Sequence, residues 1–138
     1  MRFIFIIANK FWDRWLNLWN AGGQAWFGLW IFMLTKYIGK IYSQEIIRHE
    51  KIHIRQMRET LIILFYIIYV GQLLYYITKY SFKKYKEEYL NPGQKDSWWI
   101  KSWAAYLNVV FEKEAYAKEH LIEYLDDRKF CAWRNYNG

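Results

Sequence analysis

"SQEIIRHEKIHIRQMRETLIILFYIIYVGQLLYYITKY" (residues 43–80) decides the fold. Its apolar residues recur at helical rather than alternating spacing, and no glycine or proline interrupts the run before Gly71. The spacing predicts one long helix, with Ser43 suited to cap its start. At about 100° per residue, His49, His53, Gln56 and Thr60 fall on one narrow stripe. Ile46, Ile52, Met57 and Leu61 flank it, while Arg48, Lys51, Arg55 and Arg58 occupy the opposite side. The histidines therefore face inward. After Thr60 the pattern changes, because residues 61–78 carry no charge and are apolar on every face. Such a helix is buried, in protein, in an oligomer or in lipid. The run is near the lower limit for a membrane span, and Gln72 with several hydroxyl groups favours protein or an oligomer.

Residues 3–7, "FIFII", read as a short strand. "FWDRWLNLWN" (11–20) sets Trp12, Trp15, Leu16 and Trp19 at helical spacing. That suits an amphipathic helix packed on the core, or an interfacial membrane helix. "AGGQ" (21–24) breaks the chain, and residues 25–39 read as strand or hairpin, with helix as the alternative. "KKYKEEYLNPGQKDS" (83–97) reads as a loop turning at Asn91-Pro92-Gly93. A second helix is expected over roughly 98–127, and the aromatic, basic tail after it packs back onto the body. The expected class is α+β, predominantly α, in one domain over 1–138. A long histidine-bearing helix packs against a second, glutamate-bearing helix, with a small N-terminal strand or hairpin region.

With 54% hydrophobic and 22% aromatic residues, the 138-residue chain is too apolar to be disordered. A net charge of +7 points to an anionic partner such as a membrane surface. Apart from Lys79–Lys86 the cations are scattered, and no zinc-finger or RNA-binding signature is present, so nucleic acid is disfavoured. Cys131 is alone, which excludes an internal disulfide framework and fits a reducing compartment. The N-terminal apolar run is short and lacks a small-residue cleavage site, so it does not read as a signal peptide. A cytoplasmic or membrane-associated location follows as the expectation.

The pentad His49-Glu50-Lys51-Ile52-His53 carries the chemistry. Histidines at i and i+4 share a helical face, so both imidazoles can reach one cation. Glu50, between them, can reach water on that cation without being a ligand and serve as general base. The alternative is two histidines satisfied by polar neighbours such as Gln56 and Thr60. A third histidine in the extended His-Glu-x-x-His-x-x-Gly-x-x-His pattern would fall on Glu59, with its glycine on Gln56, so that class is absent. The remaining source is a glutamate on the second helix, Glu112 or Glu114. Glu114 points into an apolar face of Val110, Phe111, Ala115, Leu121, Ile122 and Leu125 and needs a metal or a cation there. Glu112 lies on a more polar side with Tyr116, Glu119 and Glu123. The bland alternative for both is a solvated face paired with Lys113 and Lys118. His120 reads as a surface residue, and Tyr106 and Tyr116 as packing groups able to stabilise an oxyanion.

Glu112-Lys113-Glu114-Ala115 resembles the Glu-x-Glu-Ala-Asp segment of membrane-associated zinc peptidases of the gluzincin group. The resemblance implies zinc, with His49, His53 and Glu112 as ligands and Glu50 as base. Tyr116 stands at the group's aspartate position, which alters the support of the metal; the apolar face around Glu114 makes that residue the alternative third ligand. A broader resemblance covers "HEKIHIRQ", "FYIIYV", "AYLNVVFEKEAYA" and "YLDDRKFCAWRNY". These are similar to a family of small proteins of Bacteroidota and their phages. That family shares a His-Glu-x-x-His-x-x-Gln helix, an Ala-Tyr-x-x-x-x-Phe-Glu-x-Glu-Ala-Tyr helix and a Tyr-Leu-x-x-Arg tail. It has no established activity, so the resemblance supports the site, with Gln56 and Tyr116 beside it, and leaves the reaction open.

Two functions follow. One is a minimal zinc-dependent metallopeptidase acting on a protein or peptide. It needs an edge strand to align substrate, and only residues 3–7 and 25–34 offer one. The other is a non-catalytic zinc-stabilised module, membrane-associated, self-associating or part of a larger assembly such as a phage particle.

Overall fold

The computed structural model describes residues 5–18, 23–81 and 98–136. It is α+β and predominantly helical. β1 (Phe5–Ile7) runs parallel to β3 (Trp30–Met33), and β2 (Gly23–Trp26) pairs antiparallel with the other side of β3. The sheet order β1-β3-β2 leaves β2 at an edge. Residues 25–39 thus contain a hairpin strand rather than a helix, and the turn has positive φ at Phe27 (52°) and Gly28 (69°). Gln24, assigned above to a chain break, is inside β2.

α1 (Lys10–Leu18) joins β1 to the hairpin. Asn9 caps it, its Oδ1 accepting from the backbone N–H of Phe11 and Trp12 at 3.1 Å each. Leu16 is fully buried, and Trp12 packs on Phe32 with ring centroids 3.9 Å apart. The amphipathic-helix reading holds for these residues; Trp19 lies outside the described ones.

The predicted long helix is two helices. α2 (Ile41–Glu59) begins two residues before Ser43, whose hydroxyl donates to the Lys40 carbonyl at 2.6 Å instead of capping. α3 (Ile63–Ser81) leaves it at 114°. Thr60 N–H donates to the Gln56 carbonyl at 3.0 Å and Ile62 N–H to the Met57 carbonyl at 2.7 Å. That six-to-one closure is the Schellman pattern, which normally ends in glycine. Here Leu61 and Ile62 both sit at φ 56°, a conformation costing L residues about 1–3 kcal/mol each. Leu61, expected beside the inward stripe, is 82% exposed on the bend.

The second predicted helix is also broken. α4 (Trp98–Asn108), α5 (Val110–Lys118) and α6 (Tyr124–Asp127) replace it. Val109 is extended, with ψ 130°, and α3 supplies the cap: Gln72 Oε1 accepts from the Val110 N–H at 2.8 Å. The glutamine that made residues 61–78 a poor membrane span thus caps the helix that carries both glutamates. Because α5 ends at Lys118, Leu121 and Ile122 are exposed rather than part of its apolar face. The loop expected at 83–97 lies outside the described residues.

Met57 of α2, Phe65 of α3 and Val109, Val110 and Phe111 form the main core. Phe65 stacks on Phe111 at 4.4 Å, and Trp133, in the 3-10 turn Ala132–Tyr136, covers Phe111 at 5.1 Å. The tail does pack back. α3 buries only part of its surface against this core; its other face is open, contrary to burial all round within the chain.

A candidate metal centre between α2 and α5

The bend at residues 60–62 folds α3 back so that α2, α3 and α5 meet around the histidines. The predicted inward stripe is real: His49, His53, Gln56 and Thr60 are all buried. Its polar neighbours are not those of a generic core. Thr60 spends its hydroxyl on the Gln56 carbonyl, at 2.8 Å, and offers nothing to His53. Gln56 donates its amide to the Phe111 carbonyl at 3.1 Å and to Glu114 Oε2 at 3.0 Å. Both partners are acceptors, so the amide orientation is fixed and its Oε1 faces His53 Nδ1 at 2.8 Å. His53 must therefore donate from Nδ1, which leaves a lone pair on Nε2. His49 is held the same way, with Nδ1 at 2.7 Å from Glu119 Oε2. Arg48, assigned to the outer side, instead reaches across and donates to the Glu119 carbonyl at 2.5 Å, which steadies this residue.

Two lone-pair nitrogens consequently converge. His49 Nε2 and His53 Nε2 are 3.1 Å apart. Glu112 completes the group, with Oε2 3.2 Å from His49 Nε2 and Oε1 3.3 Å from His53 Nε2. Tyr69 donates to Glu112 Oε1 at 2.6 Å, while Oε2 is buried with no hydrogen-bond donor. Two imidazole lone pairs and an unpartnered carboxylate oxygen at one point repel unless a cation or a proton lies among them. Spacings of 3.1–3.3 Å suit atoms sharing one ion at about 2.0–2.1 Å. The donor set therefore fits a metal ion, and His49, His53 and Glu112 are the residues that could hold it.

α5 sends its two glutamates to different partners. Glu112 and Glu114 are both buried, which removes the solvated-face reading. Glu112 faces the histidines. Glu114 faces away, toward the tail, where Arg128 donates to it through Nε and through Nη2 at 3.1 Å. Tyr124 adds a hydrogen bond to Glu114 at 2.8 Å, and Arg128 Nη1 reaches Glu59. The cation that a buried Glu114 requires is an arginine. The "HEKIHIRQ", "FEKEAY" and "YLDDR" segments thus meet in one buried chain, His53–Gln56–Glu114–Arg128.

Glu50 is buried beside β2, not at the surface. Its carboxylate accepts from the Ala25 backbone N–H, and burial, only partly offset by His49 and His53, raises its pKa. Gly23 makes room for it: a Cβ there would stand 3.3 Å from Glu50 Oε1 and 2.9 Å from Ile46 Cγ2. The Tyr116 ring lies edge-on to His49 at 4.6 Å, and its pKa is pushed up to about 12, chiefly by burial. The Tyr106 and Tyr116 hydroxyls are hydrogen-bonded to each other. His120 is exposed and takes no part. Tyr69 and Glu119 escaped sequence reasoning as site residues. Nothing in the sequence marks Tyr69 until the bend is known, whereas Glu119 follows Glu112 and Tyr116 at helical spacing, about two turns and one turn on.

Without a metal the site holds a proton. Burial disfavours charge on His49, but hydrogen bonds to Glu112 and Glu119 and the charge of Glu50 outweigh it and hold the pKa at about 10. His53 is raised against its own burial, chiefly by Glu112, and Glu112 is correspondingly depressed despite burial, chiefly by His53 and His49. A folded pKa above the unfolded ~6.5 stabilises fully below that value, and the benefit is lost as pH rises through about 10. Melting in the presence of chelator is therefore expected to fall between pH 7 and 10, with the decline reduced in His49→Gln. Metal-loaded protein should show the opposite slope near neutrality, since protons compete with metal for the same nitrogens. Parallel slopes in the two states would contradict the assignment.

No protein-family model, no curated protein and no solved structure matches the chain.

Proposed function

We propose that His49, His53 and Glu112 hold a zinc ion, and that Glu50 takes a proton from water to hydrolyse a peptide bond. The observation that carries this reading is the pair of lone-pair Nε2 atoms 3.1 Å apart with an unpartnered Glu112 oxygen beside them. Two nitrogens and one carboxylate suit zinc, and three protein ligands leave a position open. Bound there, zinc would supply a Lewis acid that polarises a carbonyl and makes water acidic enough to lose a proton near neutral pH. Burial raises the Glu50 pKa, which makes it a stronger base than an exposed glutamate. The hydrogen bond from Ala25 keeps its carboxylate oriented. The edge strand β2 packs against α2, so an extended peptide added to that edge would pass beside Glu50. Tyr116, protonated at neutral pH, can donate to an oxygen developing negative charge. The resemblance to gluzincin peptidases and to the Bacteroidota family rests on these same residues.

Glu50→Gln separates binding from chemistry. The variant should keep zinc and melt close to wild type, while cleavage of a peptide library falls by about 10²–10⁴-fold. Unchanged cleavage would remove Glu50 as the base.

A second reading is favoured by the depth of the site, where Glu112 is 2% and His53 6% exposed. In that case zinc clamps α2 to α5 without turnover. Cleavage would then be absent in wild type as well, with chelation alone lowering the melting temperature.

A further inference from the structure

The outer face of α3 has no partner within the described residues. Ile63, Ile67, Val70 and Leu74 line it and are 73%, 63%, 49% and 57% exposed. α4 packs alongside α3 and exposes the indoles of Trp98, Trp99 and Trp103. A soluble monomer rarely leaves so large a contiguous apolar patch to water.

The charges decide what covers it. In the described residues from Leu61 to Phe111 there is no aspartate or glutamate, and the charged side chains are Lys79 and Lys101. Lys79 lies over the rings of Tyr75 and Tyr76, at 5.6 and 5.7 Å, at the end of α3. An apolar stripe bordered by Trp and Tyr, with only positive charge, has the composition of an element lying in a bilayer interface. Among the described residues no single helix is long and apolar enough to cross a membrane, so α3 would lie in the interface, not span the bilayer.

We propose that the α3–α4 face docks on an anionic lipid surface. The inner face of α3 carries Tyr69, hydrogen-bonded to Glu112, so docking holds the histidine site about one helix diameter, roughly 10 Å, from the lipid. This inference does not depend on the site binding zinc.

The test uses the full chain, metal-free, sedimented with vesicles of phosphatidylcholine alone or mixed with phosphatidylglycerol. Wild type should partition onto the anionic vesicles and about tenfold less onto neutral ones or at high salt. Ile67→Glu/Leu74→Glu should lose at least about tenfold in partitioning while keeping its helical circular dichroism. If that variant does not fold, quenching of wild-type fluorescence by brominated lipid, weakened in Trp98→Phe/Trp99→Phe, supports the same conclusion. Absence of wild-type binding to anionic vesicles would overturn the proposal. So would a double variant that binds as wild type does. A dimer that the double variant dissociates, without vesicle binding, would assign the face to a second copy instead.

Discussion

Arg128→Ala is expected to destabilise the protein by about 3–5 kcal/mol, the largest single-residue loss outside the aromatic core. The guanidinium is fully buried and serves two carboxylates, Glu114 through two of its nitrogens and Glu59 through the third. Removing it leaves Glu114, itself fully buried, with only Tyr124 and Gln56 as donors. An uncompensated buried charge is far costlier than a lost surface pair, which is worth about 0–1 kcal/mol. The melting temperature should fall by on the order of 10–20 °C. Arg128→Lys keeps the charge but not the forked geometry and should lie between. The damage should also reach the histidines. Glu114 fixes the amide of Gln56, and Gln56 fixes the tautomer of His53. Metal affinity should drop about 10–100-fold in whatever fraction of Arg128→Ala remains folded, as for other residues that orient ligands. A loss of less than about 1 kcal/mol, measured by chemical denaturation, would show that the pair is not buried as described.

Glu112→Gln and Glu114→Gln should then separate cleanly, although the two residues lie two positions apart on one helix. Glu112→Gln removes the carboxylate that faces both Nε2 atoms, and metal affinity should fall by more than the ~10–100-fold typical of residues behind a ligand. Its stability without metal should change less at pH above about 10, where His49 no longer holds the proton that Glu112 stabilises and Tyr69 can still donate to the amide oxygen. Glu114→Gln should do the reverse. It leaves Arg128 with one carboxylate, Glu59, and lowers stability strongly, while the direct metal contacts stay in place. The pair is read by titrating metal and by melting chelated protein. Equal effects of both variants on both quantities would refute the division of roles.

Much of this site is legible in the sequence, because helical periodicity is a local property. The burial of His49, His53 and Gln56 is expected from the cations across α2, although Arg48 among them turns to Glu119 and Arg58 to Gly28. The apolar neighbours of Glu114 correctly demand a counter-charge, though not which one. The breaks are illegible for a definite reason. Leu61 and Ile62 occupy positions where glycine normally announces the end of a helix, and Val109 stops α4 without glycine or proline. The second break is set by a tertiary contact, with Gln72 capping α5 from another helix. Tyr69 becomes a site residue only through the first break, so no local pattern could have named it. The strand reading near residues 3–7 and 25–34 matches β1, β3 and part of β2, but the start of β2 at Gly23, the strand order and the edge position of β2 come from pairing that composition does not encode.

The central claim is that His49, His53 and Glu112 form one metal site, and zinc titration of chelator-stripped protein measures it most directly. One zinc per chain should bind, raise the melting temperature and be lost in His49→Ala, His53→Ala and Glu112→Ala, while Glu50→Gln binds as wild type does. No binding to wild type, or undiminished binding to His49→Ala/His53→Ala, would contradict it.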